Sequence, residues 1–389
     1  MRDTIRLFLV TIAAVCLLAG CATHRTRAID PVFYPPPPDA PRIQFLKTFS
    51  TSRDINPQGW FSQFILGPLS PRPIIKPYGI TIHSNCIYVC DTMLGGLAVL
   101  DLEKHTMDYF VPSGPGRLLK PINIAIDPDG TRYVADSERG QVLVFNPSGD
   151  LIGTVGKKAE RRQKASERNT ESEKPITGKT ESADPETTSP DMRPIDVLVN
   201  SNRLFVADLK GHCVRVFDKQ TLAPVMTIPA GVSTNDEAKL LSPTNLAQDP
   251  QGRLYVCDTG AFRVKLYESD GTFVRSFGRY GNRYGELARP KGVAVDREGR
   301  VYVADAQLDS IQAYDPDGQL LLAFGQPGTS PIPLVLPAKV AIDYDHIKYF
   351  QKYAAPGFSL DYLILVTSQY GERKVNVYGF GHSVKQDSP

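Results

Sequence analysis

Three polar side chains recur at one position of a repeated sequence pattern, and their chemistry suits a hard cation. Asn123, Asp196 and Asn245 are each the third residue of a segment that opens with proline. Carboxylate and amide oxygens brought together from several strands are the ligands that Ca²⁺ takes in proteins. These three residues are a candidate Ca²⁺ site. With Lys339, which holds the same position in a later segment, they are also candidate ligand-binding residues. The alternative is that these polar groups are solvated or paired with one another.

A second set of residues recurs at the end of a β-branched and aromatic run. These aspartates are Asp91, Asp136, Asp208, Asp258 and Asp305. A catalytic carboxylate would be a single special residue, whereas repetition indicates a structural task. A carboxylate there can accept hydrogen bonds from backbone N–H groups of the following turn.

The sequence gives little support for a haem, hydrolase or zinc site. The sequence contains no Cys-x-x-Cys-His and no Gly-x-Ser-x-Gly, and His212 beside Cys213 has no second pair at the spacing of a zinc site. No catalytic residue, cofactor or resident metal is predicted. Lysine and arginine number 44 against 42 aspartates and glutamates. A net charge of +2 gives no electrostatic reason to expect a nucleic-acid partner.

These residues are positioned by a repeat of short strands. Each unit opens with proline and an apolar strand, continues through a tight turn to a strand that ends in aspartate, and adds a third strand. The opening prolines are Pro77, Pro121, Pro194, Pro243, Pro290 and Pro337. Their intervals are 44, 73, 49, 47 and 47 residues. A unit of about 45 residues with several strands is one blade of a β-propeller. In the sixth unit, the middle strand Leu363–Thr367 lacks the aspartate.

The pattern resembles the NHL repeat, and the whole match is similar to six-bladed β-propeller lipoproteins of bacteria. This resemblance implies an all-β fold in which ligands bind at the mouth of a central channel. Propeller lactonases hold calcium there, but through the residue directly after the proline. Here that residue is never a carboxylate or an amide. The sixth unit lacks a fourth strand of its own. We expect the alternating segment Arg42–Phe49 to supply it and to close the ring.

The N-terminus carries a signal for export and lipid attachment. Basic residues precede an apolar stretch that ends in Leu18-Ala-Gly-Cys21, which resembles the bacterial lipobox. The resemblance implies cleavage before Cys21 and acylation of its thiol. Ala22 is not the aspartate that favours retention in the inner membrane. In a Gram-negative host, the expected location is the outer membrane, facing the periplasm.

The predicted organisation is a signal peptide over residues 1–20, a lipidated proline-rich tether over 21–41 and a propeller over 42–389. Pro35–Pro38 is expected to be a stiff polyproline II segment. An insertion at 157–190 accounts for the long interval. From Lys157 to Pro190 it has 15 charged residues among 34 and only four apolar ones, so it is predicted to be disordered.

A repeat scaffold without a catalytic constellation favours a binding role carried by loops. The leading hypothesis is a membrane-anchored, non-catalytic propeller that binds a protein, or a glycan, in the cell envelope. One alternative is a metal-dependent enzyme of lactonase or lyase type, with the metal at Asn123, Asp196 and Asn245. Another is a permanent structural subunit of an envelope complex.

Overall fold

The computed structural model describes residues 30–57, 70–157, 191–231, 235–328 and 330–384. The predicted signal peptide, Cys21 and nearly all of the predicted insertion lie outside these ranges. Within them, no helix has the length and apolar character needed to cross a membrane. The described helices are short, and they are Ser52–Ile55 and Ile347–Phe350, with 3₁₀ turns at Gly114–Gly116, Asp236–Ala238, Thr259–Ala261 and Gln351–Tyr353.

Five sheets of four antiparallel strands follow the repeat units. Blade one contains β3 (Pro77–His83), β4 (Cys86–Asp91), β5 (Gly96–Asp101) and β6 (Thr106–Phe110). Blade two contains β7 (Pro121–Ile126), β8 (Arg132–Asp136), β9 (Gln141–Phe145) and β10 (Leu151–Val155). Blade three contains β11 (Pro194–Val199), β12 (Arg203–Asp208), β13 (Cys213–Asp218) and β14 (Pro224–Ile228). Blade four contains β15 (Pro243–Gln248), β16 (Leu254–Asp258), β17 (Arg263–Tyr267) and β18 (Phe273–Phe277). Blade five contains β19 (Pro290–Val295), β20 (Val301–Asp305), β21 (Ser310–Tyr314) and β22 (Leu320–Phe324).

The sixth blade combines the two ends of the chain. It contains β23 (Pro337–Asp343), β24 (Phe358–Ser368), β25 (Val375–Ser383), β2 (Ile43–Phe49) and β1 (Phe33–Tyr34). Strand β2 pairs antiparallel with β25, as the alternating pattern of this segment predicted. The first strands of successive blades contact one another around the full circle, so the fold is a closed six-bladed β-propeller. All-β architecture and closure by the N-terminal strand are both confirmed.

The predicted tether was wrong for its C-terminal part. Phe33 and Tyr34 form an extra strand on β2, and Tyr34 is buried against Phe324 and Tyr378. The amide of Arg42 donates to the carbonyl of Tyr34, so the prolines between them belong to a chain reversal and do not extend as a spacer. The two aromatic residues directly before the proline run pack on an apolar surface of blades five and six, which the proline composition alone did not predict.

The middle strand of blade six is displaced by one residue from the sequence prediction. In blade one Pro77 is the partner of Asp91, and in blade six Pro337 is the partner of Ser368. Ser368, and not Thr367, therefore replaces the repeat aspartate. A side chain in a strand changes face with every residue, so this displacement places Thr367 at the small, buried position of Cys90.

Apolar contacts between adjacent blades form the core. One cluster joins Tyr88, Cys90 and Leu97 of blade one to Val134 and Phe145 of blade two. The second strands supply the most deeply buried side chains because both faces of each sheet are covered by neighbouring blades. This packing fixes the six first strands around the central channel, where the candidate residues lie.

Candidate functional site

The third residues of the first strands form a belt that joins neighbouring blades. The Nδ2 of Asn123 donates to the carbonyl of Ile195 in the next blade at 3.0 Å. Asp196 accepts from the amide of Leu246 at 2.7 Å, and Asn245 accepts from the amide of Val293 at 3.2 Å. In each case, a polar side chain of one blade bonds to the first-strand backbone of the following blade.

Glycine occupies the belt position in blades one and five because neighbouring groups fill the space. A Cβ at Gly79 would lie 2.3 Å from the Oδ1 of Asn123, and one at Gly292 would lie 2.8 Å from the carbonyl oxygen of Ala338. At this level the first strands of neighbouring blades therefore lie in close contact.

Lys339 completes the belt by reaching across the ring. Its ammonium lies 2.8 Å from the Oδ2 of Asp196, which belongs to the blade three positions away in the ring of six. Asn123, Asp196 and Asn245 have no exposed surface, and Lys339 is 9% exposed. Burial raises the pKa of the Asp196 carboxyl, and the Lys339 ammonium opposes that rise. The four residues predicted as a channel-mouth binding site are thus together, but they are buried below the mouth.

The candidate Ca²⁺ ligands do not fit a cation as they are arranged. The Oδ2 of Asp196 is taken by an ammonium and a backbone amide, and the Oδ1 of Asn245 is taken by an amide. The Oδ1 atoms of Asn123 and Asp196 have no protein partner among the described residues, but two oxygens fall well short of the six to eight that Ca²⁺ requires. In the described ranges, no three His, Cys, Asp or Glu side chains converge as a metal site.

The repeat aspartates tie two loops together within each blade. Asp91 accepts from the amides of Ile75 and Lys76, ahead of the blade's opening proline, and from those of Met93 and Leu94 in the turn that follows. Asp305 makes the equivalent four contacts, with Ala288, Arg289, Gln307 and Leu308. Asp136 repeats this arrangement, while Asp208 and Asp258 replace some of the amides with the cationic groups of Arg215 and Lys265. These buried carboxylates organise the loops at one end of the ring.

We call that end the proline face, because every first strand begins there with its proline. The opposite face carries the turns between first and second strands and between third and fourth strands. The mouth of the channel at the proline face is lined by Tyr78, Thr244 and Lys291, the residues directly after three opening prolines. The Lys291 ammonium lies 5.1 Å from the centre of the Tyr78 ring, and the Thr244 hydroxyl donates to the Lys291 carbonyl.

Lys291 is an unusual lysine. Burial at the mouth, together with the positive charges of Arg289 and Lys76, lowers the pKa of its ammonium to about 8. At this repeat position the resemblance implied only oxygen ligands, and Lys291 is not among the predicted site residues. The signal was present in the repeat, since basic residues directly precede four of the six opening prolines.

Exposed apolar side chains are concentrated on the loops of the proline face. Met93 is 66% exposed and Tyr280 is 68% exposed. Seven of the large exposed apolar residues in the described ranges lie on these loops: Ile75, Met93, Val111, Leu241, Tyr280, Tyr284 and Tyr370. Four more lie on outer strands, and Val384 follows the last strand. The tight turns of the opposite face contribute none in the described ranges. Loops that expose apolar groups on one face only are typical of an interaction surface.

Comparisons with solved structures agree on the architecture. A gluconolactonase from Xanthomonas campestris is 14% identical with a TM-score of 0.53, and the alignment covers 90% of this chain and 94% of that one. Regucalcin from Agrobacterium tumefaciens, a calcium-binding protein, is 13% identical with a TM-score of 0.50, covering 87% and 96%. Virginiamycin B lyase from Staphylococcus aureus is 10% identical with a TM-score of 0.47, covering 78% and 84%.

At these identities the likeness concerns the fold alone, and it defines the class of the chain as a six-bladed β-propeller. No family model and no curated protein matches the sequence. The activities of the similar structures therefore belong to those proteins, and the function of this chain has to be argued from its own residues.

Proposed function

We propose that this chain is a non-catalytic propeller, held at an envelope membrane by lipid on Cys21, that binds a partner protein through the proline face. The observation that carries the proposal is the one-sided distribution of exposed apolar side chains, such as Met93 and Tyr280. The repeat aspartates give these loops a fixed shape, which lowers the entropy cost of ordering them in a complex.

A metal-dependent enzyme of lactonase or lyase type is less well supported. Its metal would need the oxygens of Asn123, Asp196 and Asn245, and two of these four oxygens, Asp196 Oδ2 and Asn245 Oδ1, are engaged in contacts between blades. The belt residues are also buried below the mouth, with the ammonium of Lys339 reaching across the ring to Asp196. The likeness to a gluconolactonase supports this alternative only at the level of fold.

The anchoring part of the proposal rests on the lipobox-like sequence that ends at Cys21. Two or more acyl chains give stable attachment, whereas one gives marginal binding. Cys21→Ser is expected to move the protein from the membrane fraction to the soluble fraction of the envelope. Retention of this variant in the membrane fraction, with no label from an alkyne fatty acid in the wild type, would contradict lipid anchoring.

Site-specific photo-crosslinking in intact cells tests the binding surface. A photoreactive phenylalanine analogue is placed at Met93 or Tyr280 on the proline face, and at Asp129 or Asp317 in turns of the opposite face. All four sites are on loop segments, so the positions differ mainly in face. We expect a discrete protein adduct from the first pair only, and loss of that adduct when Leu241 is replaced by Asp.

Equal adducts from both faces, or none from the proline face, would contradict the proposal. Adduct formation is compared at matched expression and after washing with detergent and high salt. A partner that remains bound without crosslinking would indicate a permanent subunit of an envelope complex, and a partner lost on washing would indicate reversible recruitment.

A further inference from the structure

The proline face carries an incomplete set of ion pairs. Basic residues precede the opening proline in four blades, and a fifth follows Pro290. We call these residues the cationic collar: Lys76, Lys120, Arg193, Arg289 and Lys291. Because every first strand begins at the proline face, the collar residues lie at that face, in blades one, two, three and five. The backbone amides of the first four are held by repeat aspartates, so their positions are set by the fold.

No carboxylate within the described residues pairs with a collar side chain. The ammonium of Lys76 lies over the ring of Tyr370 at 4.8 Å, and that of Lys291 lies over Tyr78 at 5.1 Å. At the opposite face, by contrast, three basic residues pair with carboxylates. Lys219 pairs with Asp127, Arg253 with Asp249 and Arg300 with Asp296, at 2.8, 2.8 and 2.6 Å.

The repeat aspartates do not neutralise the collar at its surface. They are fully buried, and their oxygens accept from backbone amides or from Arg215 and Lys265. At Lys291, burial and then the positive charges of Arg289 and Lys76 lower the pKa of the ammonium. A half-buried cation without an acceptor costs free energy, and an incoming anion relieves that cost.

Apolar residues alternate with the collar. Ile75 directly precedes Lys76, while Leu241, Met93 and Tyr370 project from loops of the same face. Below the mouth, Asn123 and Asp196 are fully buried and Lys339 reaches across the ring, so the ligand is placed across the mouth. A surface that mixes free cations with exposed apolar groups fits a chain that mixes carboxylates with apolar side chains.

We propose that the proline face binds an acidic peptide segment of the partner protein, with its carboxylates on the cationic collar and its apolar side chains on the surrounding loop residues. This inference rests on the proposed function and names the chemistry of the partner. The small net charge of the whole chain, +2, argues against a polyanion such as nucleic acid, because long-range attraction would be weak.

The test uses the full chain, purified in detergent, and two synthetic peptides of about 12 residues. In the first peptide, glutamate alternates with leucine and tyrosine, and in the second, glutamine replaces each glutamate. Binding is measured by fluorescence anisotropy at two salt concentrations. We expect the glutamate peptide to bind at least about tenfold more tightly than the glutamine peptide, with the difference decreasing at high salt.

The matched variants are Arg289→Gln with Lys291→Gln in the collar, and Lys210→Gln as control. Lys210 lies on a loop of the same face but is already paired with Asp191. The collar double variant is expected to weaken binding of the glutamate peptide by about fivefold or more, and the control is expected to leave it unchanged. Thermal unfolding verifies that each variant remains folded.

The pKa of Lys291 supplies a second readout that does not depend on substitution. The groups facing its ammonium are Tyr78, Arg289 and Lys76, with no carboxylate among them. A bound carboxylate is expected to raise the pKa of Lys291 from about 8 towards the ordinary lysine value. Carbon-13 NMR of reductively methylated protein follows this titration with and without the glutamate peptide.

Equal binding of the two peptides, no binding of either, or an unchanged affinity in the collar variant would overturn the inference. The proposed function fails separately, through the absence of crosslinks from the proline face. A face-specific crosslink combined with failure of the peptide assay would keep the binding role and reject the acidic ligand.

Discussion

Opposite charges meet across the centre of the ring in the contact between Lys339 and Asp196. Asp196 is fully buried and Lys339 is largely buried, so each depends on the other for compensation of its charge. Removing one partner of a buried pair leaves an isolated charge in the interior, which costs more than the pair itself contributes. The contact therefore holds blades three and six in one relative position, at the level where the other belt residues join neighbours.

Replacing Lys339 by methionine is expected to lower the free energy of unfolding by about 3–5 kcal/mol, because Asp196 remains buried without its cation. Adding Asp196→Asn to Lys339→Met is expected to restore most of the loss, since asparagine is neutral and can still accept from the Leu246 amide. Urea unfolding of the wild type, the single variant and the double variant measures both effects. If the double variant is no more stable than Lys339→Met, the unpaired charge of Asp196 is not the cause of the loss in stability.

At the scale of the elements, each of the first five blades depends on an aspartate that connects the loop before its first strand to the loop after its second. Asp305 accepts from two amides on each side, and it is fully buried. Blade six departs from this arrangement. Ser368 takes the aspartate's place, and Asp309 of blade five accepts from the Leu336 amide instead.

Asp305→Ala is expected to destabilise the protein by about 2–4 kcal/mol, because several buried amides lose their acceptor. Asp270→Ala is the matched control. Asp270 also accepts a backbone amide, that of Thr272, but it lies in an exposed turn of the opposite face. Thermal and urea unfolding compare the two variants, and hydrogen exchange of the Ala288 and Leu308 amides locates the change. Similar small losses in both variants would contradict the structural role of the repeat aspartate.

At the scale of the whole molecule, the ring is closed by residues from both ends of the chain. Strand β2 covers the edge of β25, and β1 adds Tyr34 to the aromatic cluster with Phe324 and Tyr378. Closure removes an exposed sheet edge, which would otherwise be a template for pairing with other chains. Cys21, the proposed site of lipid attachment, precedes this closing segment in sequence.

Two N-terminal truncations are expected to separate these contributions. A chain that starts at residue 42 lacks only β1 and should fold with a stability lower by about 3 kcal/mol, through the lost burial of Tyr34. A chain that starts at residue 51 also lacks β2, and it should lose cooperative unfolding and aggregate. A chain that starts at residue 30 is the control. Circular dichroism and size-exclusion chromatography follow the series, and a monomeric, cooperative chain starting at residue 51 would contradict this account of closure.

Several features of this protein follow from the sequence by itself. The spacing of six prolines, the strand patterns and the tight turns predicted an all-β propeller of six blades. The alternation from Arg42 to Phe49 predicted the closing strand, because a strand with one buried face carries its period in the local sequence. The recurrence of Asp91 and its four equivalents indicated structural carboxylates, because the same environment in each repeat selects the same residue.

The tertiary structure decided what depends on contacts between distant residues. Only closure of the ring brings Lys339 within reach of Asp196, and this contact turns a candidate ligand site into a buried belt. Tyr34 belongs to the propeller, and not to a tether, because its apolar surface is provided by strands more than 280 residues further along the chain. Likewise, only the tertiary structure shows that the collar side chains have no carboxylate partner among the described residues. Whether a charged side chain is paired is a property of its neighbours in space, and a repeat pattern records only its neighbours in sequence.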